Sequence, residues 1–496
     1  MRTAFTITIF LGAVLLFAVQ PMVGKLLLPR LGGSPAVWNS CMVFFQAALL
    51  AGYAYAHLLT KLRGSGIQVL VHAALLAAAV ISLPIALRGG AVPPAEGSPI
   101  WWLFGALALS VGMPFFVASA NAPLLQRWFA ATGDPLARDP YFLYAASNAG
   151  SLLALLAYPF LVEPLLGLDR QRLAWSAGYV LFAALVVFCG VLALRRACTD
   201  DDVPASAPEN AAPDRPSARN YLMWTALAFA PSSLMLGVTQ YITTDVAAVP
   251  LLWVVPLAIY LLTYVVAFAR RRIISPGVWS QLLVIVAISA LAMAVLWADF
   301  PAALSLGMHL LLLLVGAMAC HGRLAGTRPH PRHLTGFYLA IAVGGALGGV
   351  FNALVAPQVF EAVLEYPLVI ALVFLLRDRR AIGRAGTAVA RWVNRGLDAA
   401  IVVVTAVAIP FFTGLPDLEV LERDRTFFGV HRVAADEERW WIGYFNGTTL
   451  HNVQITEYPE CPLAYYHDDT SIGRLYIEMA GDRRLDRVGI VGLGAG

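Results

Sequence analysis

Apolar runs of about 20 residues, the length that crosses a hydrocarbon core of about 30 Å, recur along most of this chain. Six fall at residues 4–22, 37–59, 67–87, 100–120, 142–162 and 173–194; six more fall at 222–240, 249–269, 278–298, 302–320, 334–356 and 360–376. The last is poorer, because Glu361 and Glu365 interrupt it. Only 13% of residues are charged and 59% are hydrophobic, whereas a soluble domain carries about 25% charge. The predicted fold class is therefore a mainly α, polytopic membrane protein embedded in a lipid bilayer, with twelve transmembrane helices and a thirteenth in question. A secreted disulfide scaffold is excluded, since the five cysteines are scattered and odd in number. A net charge of +4 resides mainly in loops and points to no nucleic-acid partner.

The spacing predicts a first six-helix half over 1–196, a polar linker over 197–220 and a second half over 221–397. The linker contains Asp200, Asp201 and Asp202 with Pro204, Pro208, Pro213 and Pro216, and has no apolar face to bury. The first run follows Arg2 without a small-residue cleavage site, so it reads as a retained helix. With loops assigned to alternate sides, 21 Lys and Arg residues collect on the N-terminal side, against Lys25, Arg30, Arg88, Arg170 and Arg172 on the other. That bias predicts a cytoplasmic N-terminus. Two six-helix halves about a linker is a layout shared by many secondary transporters. A faint echo aligns 142–150 with 337–345, each opening the fifth helix of its half, as a parallel repeat would.

Composition changes after Pro416. A short apolar segment, 398–416, leads up to it; whether it crosses stays open, and a non-crossing or re-entrant segment, or one weak earlier span, would keep the tail on the cytoplasmic side. Over 417–486 a small antiparallel β-domain is predicted, with strands at 427–434, 439–445 and 448–455, a hairpin turn at Asn446-Gly447 and a helix near 472–480. Residues 487–491 form a buried-strand pattern running into Gly492-Leu-Gly-Ala-Gly496. A strand ending in such glycines opens many nucleotide-binding α/β domains, and 487–496 is expected to be the start of a Rossmann-like domain that a longer reading frame completes.

The tail from Arg425 resembles the start of a spermidine synthase-type polyamine aminopropyltransferase. Residues 20–33 (QPMVGKLLLPRLGG), 37–46 (VWNSCMVFFQ), 141–156 and 344–350 resemble the membrane half of bacterial fused membrane protein (MFS-like)/spermidine synthase chains. The resemblance implies a multi-pass bacterial inner-membrane protein that transfers an aminopropyl group from decarboxylated S-adenosylmethionine to a polyamine. It implies that Gln454 and His451 bind substrate, that Tyr465 and Tyr466 line the polyamine site, and that Gly492, Gly494 and Gly496 hold the adenosyl donor. The catalytic aspartate is expected downstream of Gly496. Asn452 stands where the family has glycine, and the loop lacks the family's Gly-Gly-Gly-Asp-Gly-Gly, which leaves S-adenosylmethionine and methyl transfer as an alternative. The other alternative is an MFS-like transporter of a small cation or polyamine. No resident cofactor or metal is expected, and homo-oligomerisation stays open.

The residues read without the resemblance are plainer. His451 and Gln454, three apart on a strand, face opposite ways unless a bulge intervenes; Tyr465 and Tyr466 suit a small core. His321, His330 and His333 read as a polar loop broken by Pro329 and Pro331. Gln20, Asn39, Gln46, His57, Asn121, Asn148, Gln240, Asp245 and Asn352 are intramembrane polar residues, hence functional candidates, with interhelical hydrogen bonding as the simpler role for each amide. Gly344, Gly345, Gly348 and Gly349 read as close helix packing.

Overall fold

The computed structural model describes residues 1–62, 64–87, 93–94, 98–132, 134–135, 141–196, 216–246, 252–269, 274–296, 300–329, 334–381, 387–415, 417–447 and 449–482. Among them, ten helices are long and apolar enough to span a bilayer, and three shorter apolar helices accompany them. The first bundle comprises α1 (Arg2–Leu31), α2 (Pro35–Leu59), α3 (Ser65–Ile81), α4 (Ile100–Leu107), α5 (Met113–Ala130), α6 (Tyr141–Ala157), α7 (Glu163–Leu165) and α8 (Leu168–Arg195). The second comprises α9 (Ala218–Tyr241), α10 (Val254–Ala267), α11 (Pro276–Leu296), α12 (Ala302–Gly326), α13 (Leu334–Val350), α14 (Ala356–Val359) and α15 (Glu365–Leu375). Single π turns join α4 to α5, α6 to α7 and α13 to α14, and another ends α9.

These helices are apolar all round because protein covers one side and lipid the other. In α8, Trp175, Tyr179, Phe182, Val186 and Cys189 are buried, while Leu173, Val180, Leu181, Val187 and Phe188 are exposed. Each bundle has its own apolar core. Helix α1 packs on α5, α6 and α8, α2 on α5, and α3 on α8; correspondingly, α9 packs on α12, α13 and α15, α10 on α12, and α11 on α15. Every pair recurs six spans later. The bundles meet through α2–α13 and α6–α10, contacts that exchange under the same correspondence. Close approach supports the repeat: a Cβ on Gly150 of α6 would lie 2.5 Å from the Phe10 carbonyl oxygen of α1, and one on Gly344 of α13 would lie 2.3 Å from that of Thr225 on α9.

The short apolar segment read at 398–416 belongs to a longer helix, one of the ten with the length and composition of a span. Helix α16 runs Ala388–Thr413, 26 residues, with the Thr387 hydroxyl accepting from the Ala390 amide at its start. Asp398, which ends the apolar run in sequence, is neutralised by Arg377 at 2.6 Å and Arg379 at 2.9 Å. Its charge therefore does not stop the helix. Conversely, α15 is only 11 residues long.

The tail forms a four-stranded antiparallel meander in the order β1 (Glu419–Thr426), β2 (Gly429–Ala435), β3 (Trp441–Asn446) and β4 (Thr449–Ile455), followed by α17 (Ser471–Asp482). Strand β1 escapes the sequence reading because its five charges hide the alternation. One face buries Ala434 and Phe445 against Leu415. From that face the Arg432 guanidinium donates to the Gly414 and Phe412 carbonyls at 3.1 and 3.3 Å, satisfying orphan acceptors at the end of α16. Among the described residues no Rossmann unit is present, and 487–496 lie outside them.

Candidate functional site

The sheet sits at one end of the two bundles, against the start of α2 and the end of α9; the turn after α15, with Arg377 and Arg379, lies at the other. Arg377, Arg379 and Asp398 mark the arginine end. At the sheet end lie the start of α2, the end of α9, the π turn Phe351–Val355 and the start of α15.

Where α2 meets α13, the seam between the bundles is lined with amides and hydroxyls. Nearest the sheet, the Asn39 Nδ2 donates to Gln240 Oε1 across the bundles at 3.5 Å. Asn352, within the π turn, donates to Ser233 Oγ and, at 3.0 Å, to the Gly348 carbonyl. Two turns deeper, about 10 Å along the helices, Gln46 Nε2 donates to Ser232 Oγ at 3.2 Å, and that hydroxyl donates to the Gly345 carbonyl at 2.9 Å. Gln46 lies against the bare backbone of Gly349, where an added Cβ would come within 2.1 Å of its Oε1. Trp38 of α2 stacks on Trp253 at the head of α10, centroids 5.0 Å apart.

Several of these groups are only half satisfied. Asn39 Oδ1, Ser40 Oγ, Gln46 Oε1 and Gln20 Oε1 are buried without a hydrogen-bond partner, a costly state away from water. All come from α1 and α2, and all but Ser40 Oγ are acceptors only. Asn39, Gln240 and Asn352 also line a cavity of about 30 Å³, room for about one water. Its outer wall is the β1–β2 hairpin, through Arg425, Thr426, Phe427, Gly429 and Val430. The hairpin is fixed there by Arg425, whose Nη2 and Nη1 donate to Glu365 Oε1 and Oε2 at 2.6 and 3.1 Å. The sequence reading treated Glu365 only as a blemish in a span and gave Arg425 no role; an acidic residue in an apolar run could have prompted a search for its cation.

No protein-family model matches the chain, and no curated protein matches it. Among solved structures it is similar to a bacterial homolog of the human lysosomal transporter Spinster, at 13% identity and TM-score 0.43, over 83% of this chain and 94% of that one. It is also similar to a D-xylose-proton symporter, at 14% identity and TM-score 0.43, over 84% of this chain and 98% of that one. Likenesses this shallow decide neither fold nor function.

The structure brings three of the tail candidates together. A bulge between Tyr444 and Phe445 in the β3–β4 register leaves His451 unpaired, since Tyr444 faces Asn452 and Phe445 faces Leu450. The His451 ring comes to 6.3 Å from Tyr444 and 6.3 Å from Tyr465. Gln454, paired with Ile442, shares the Tyr444 face, so the bulge supplies the condition for His451 and Gln454 to point the same way. Gln454 donates to the Pro459 carbonyl at 3.3 Å. Tyr465 is half exposed, and Tyr466 neighbours it in a 3-10 turn. His431 stacks on Tyr444 and accepts or donates at 2.8 Å to its hydroxyl. Burial, opposed by Asp424 and aided by His451, holds the His431 imidazole below its ordinary value of 6.5. Gly492, Gly494 and Gly496 lie outside the described residues.

The loop reading of His321 is corrected. It lies within α12, fully buried, bonded through Nδ1 to Thr263 Oγ1 at 2.9 Å and stacked on Tyr264 at 3.7 Å. Its flanking prolines follow the helix rather than break it. His330, His333 and the Asp245 side chain lie outside the described residues. Asn121 serves packing: its Oδ1 accepts from His72 Nε2 at 3.1 Å and its Nδ2 donates to the Val117 carbonyl at 2.8 Å. Among the described residues no cluster suits a metal ion.

Proposed function

We propose that this chain is an MFS-like membrane transporter whose two bundles pass a small, hydrogen-bond-donating cation, such as a polyamine, through the α2–α13 seam. The observation that carries this reading is the pair of unpartnered acceptors, Asn39 Oδ1 and Gln46 Oε1, on a seam between two repeat-related bundles. Amide oxygens without donors cost stability, and a solute rich in N–H groups completes them. The basic residues favour placing the arginine end in the cytoplasm of a bacterial inner membrane, with the sheet and hairpin on the opposite side. Interfaces between such bundles are where secondary transporters bind solute, near the bilayer midplane.

The test is uptake of a labelled diamine into proteoliposomes holding the full chain. Protein-dependent uptake that falls at least tenfold in Gln46→Leu supports the reading; absence of any protein-dependent movement refutes it.

A second reading, aminopropyl transfer from decarboxylated S-adenosylmethionine or methyl transfer from S-adenosylmethionine, is favoured by the bulge that turns His451 to the sheet face of Gln454, with its ring 6.3 Å from that of Tyr465. It fits less well with a sheet docked away from the arginine end, far from cytosolic donors. Equilibrium dialysis of the full-length protein with each labelled donor tests it; no binding of either removes it.

A further inference from the structure

Arg425 occupies a place built for a cation. Its side chain is 8% exposed and that of Glu365 is 3% exposed. Besides its two bonds to the carboxylate, Nη1 donates to the Ala362 carbonyl at 2.6 Å and to the Phe360 carbonyl at 3.3 Å. Those carbonyls belong to the link between α14 and α15, where helical partners are missing. One carboxylate and two carbonyl oxygens thus converge on a planar cation, a geometry that rewards several N–H donors in fixed directions.

The occupant comes from another module. Arg425 lies 60 residues beyond Glu365, on a hairpin that also walls the seam cavity beside Asn39, Gln240 and Asn352. Withdrawing the hairpin would leave the Glu365 carboxylate buried without its counter-charge, a state that demands another cation. It would also open the route to the unpartnered Asn39 oxygen.

We propose that Glu365 with the Phe360 and Ala362 carbonyls is a recognition site for guanidinium or primary alkylammonium solutes, and that Arg425 is its tethered competitor. This deepens the transport reading, on which it rests, by locating the solute's first binding site at the mouth of the seam. A solute guanidinium or ammonium displaces Arg425 and releases the hairpin. A quaternary ammonium has the charge but no N–H donors and does not.

The test uses an Ala353→Cys reporter in the cavity wall, with the native cysteines replaced, in full-length protein in nanodiscs. A membrane-impermeant maleimide labels it slowly while the hairpin is docked. Millimolar methylguanidinium is expected to speed labelling several-fold, and tetramethylammonium to leave it unchanged. In Arg425→Gln, labelling is fast at the outset, and methylguanidinium slows it at concentrations at least tenfold lower, by occupying the vacated site. Arg425→Gln with Glu365→Gln abolishes that response. Should Arg425→Gln fail to fold, Arg425→Lys, which weakens the bidentate pairing, is expected to respond at lower methylguanidinium than the native chain. Equal effects of the two cations on the native chain, or the same response with and without Glu365, overturn the proposal, as does an unshifted response in Arg425→Lys. Diamine uptake that persists unchanged in Glu365→Gln removes this site and spares the transport reading. Solute-dependent labelling without uptake does the reverse.

Discussion

Two buried arginines, one at each end of the bundles, show how the same ion pair serves different ends. At the arginine end, Arg377 is wholly buried and tied to Asp398, the Asn394 side chain and the Phe374 carbonyl. Its partners all belong to α16 or to the end of α15, two residues before it, so the cluster clamps α15 to α16. At the sheet end, Arg425 reaches from the tail into the membrane body and closes a cavity. The first pairing joins neighbours that have no reason to part. The second joins two modules over a polar seam, where parting would expose acceptors that lack donors.

Breaking the clamp should have the largest effect. Arg377→Ala leaves Asp398 with only the half-exposed Arg379 and removes the cation lying 4.1 Å over the Phe374 ring. A loss of about 3–5 kcal/mol is expected, read as a lower unfolding midpoint of the whole protein in nanodiscs. Glu365→Gln sharpens the contrast. It should cost about 1.5–3 kcal/mol of sheet docking, the worth of hydrogen bonds to a charged group, seen as faster hydrogen exchange in 419–435. The unfolding midpoint of the bundles should stay unchanged. Equal loss of protection in both regions would erase the distinction between clamp and closure.

Much of this was legible because hydrophobic length is a strong signal and arginine placement an independent one. The twelve runs and the two ends derive from them. Other features were hidden for identifiable reasons. Helix α16 looked short because Asp398 is charged in sequence but neutralised in space. Strand β1 escapes notice because Glu422, Arg423, Asp424 and Arg425 are charged in succession and mask the period of two. His321 was misassigned because the prolines after it were weighed above the apolar run before it. The site itself was half visible: Asn39, Gln46, Gln240 and Asn352 stand out as polar residues in membrane helices. Nothing local says that Asn39 and Gln240, 201 residues apart, meet. The Glu365–Arg425 pair likewise requires knowing where the tail folds back.

Smaller effects separate the seam from the sheet. Gln46→Leu should change stability by under about 1 kcal/mol, as interhelical hydrogen bonds in membranes typically do, while diamine uptake falls. A large unfolding shift instead would make Gln46 a packing residue. The smallest expected effect is on pH. His431 titrates below 6.5 in the folded sheet because burial disfavours its charge. The stability this reflects is fully present above the unfolded imidazole value and is lost as pH falls through the folded one. Hydrogen exchange in β2 and β3, corrected for intrinsic rates, should therefore rise on acidification below 6.5 and do so less in His431→Gln. An identical acid response in that variant would assign it to other groups.

The central claim is that the bundles move against each other about the seam to pass a solute. Distances between spin labels test it most directly, with one pair at Gly33→Cys and Val359→Cys on the sheet end and another at Lys61→Cys and Gly326→Cys on the arginine end. Adding a diamine is expected to lengthen one distance and shorten the other. If both distributions stay fixed at saturating diamine, or shift in the same sense, the seam is a static packing interface and the transport account is wrong.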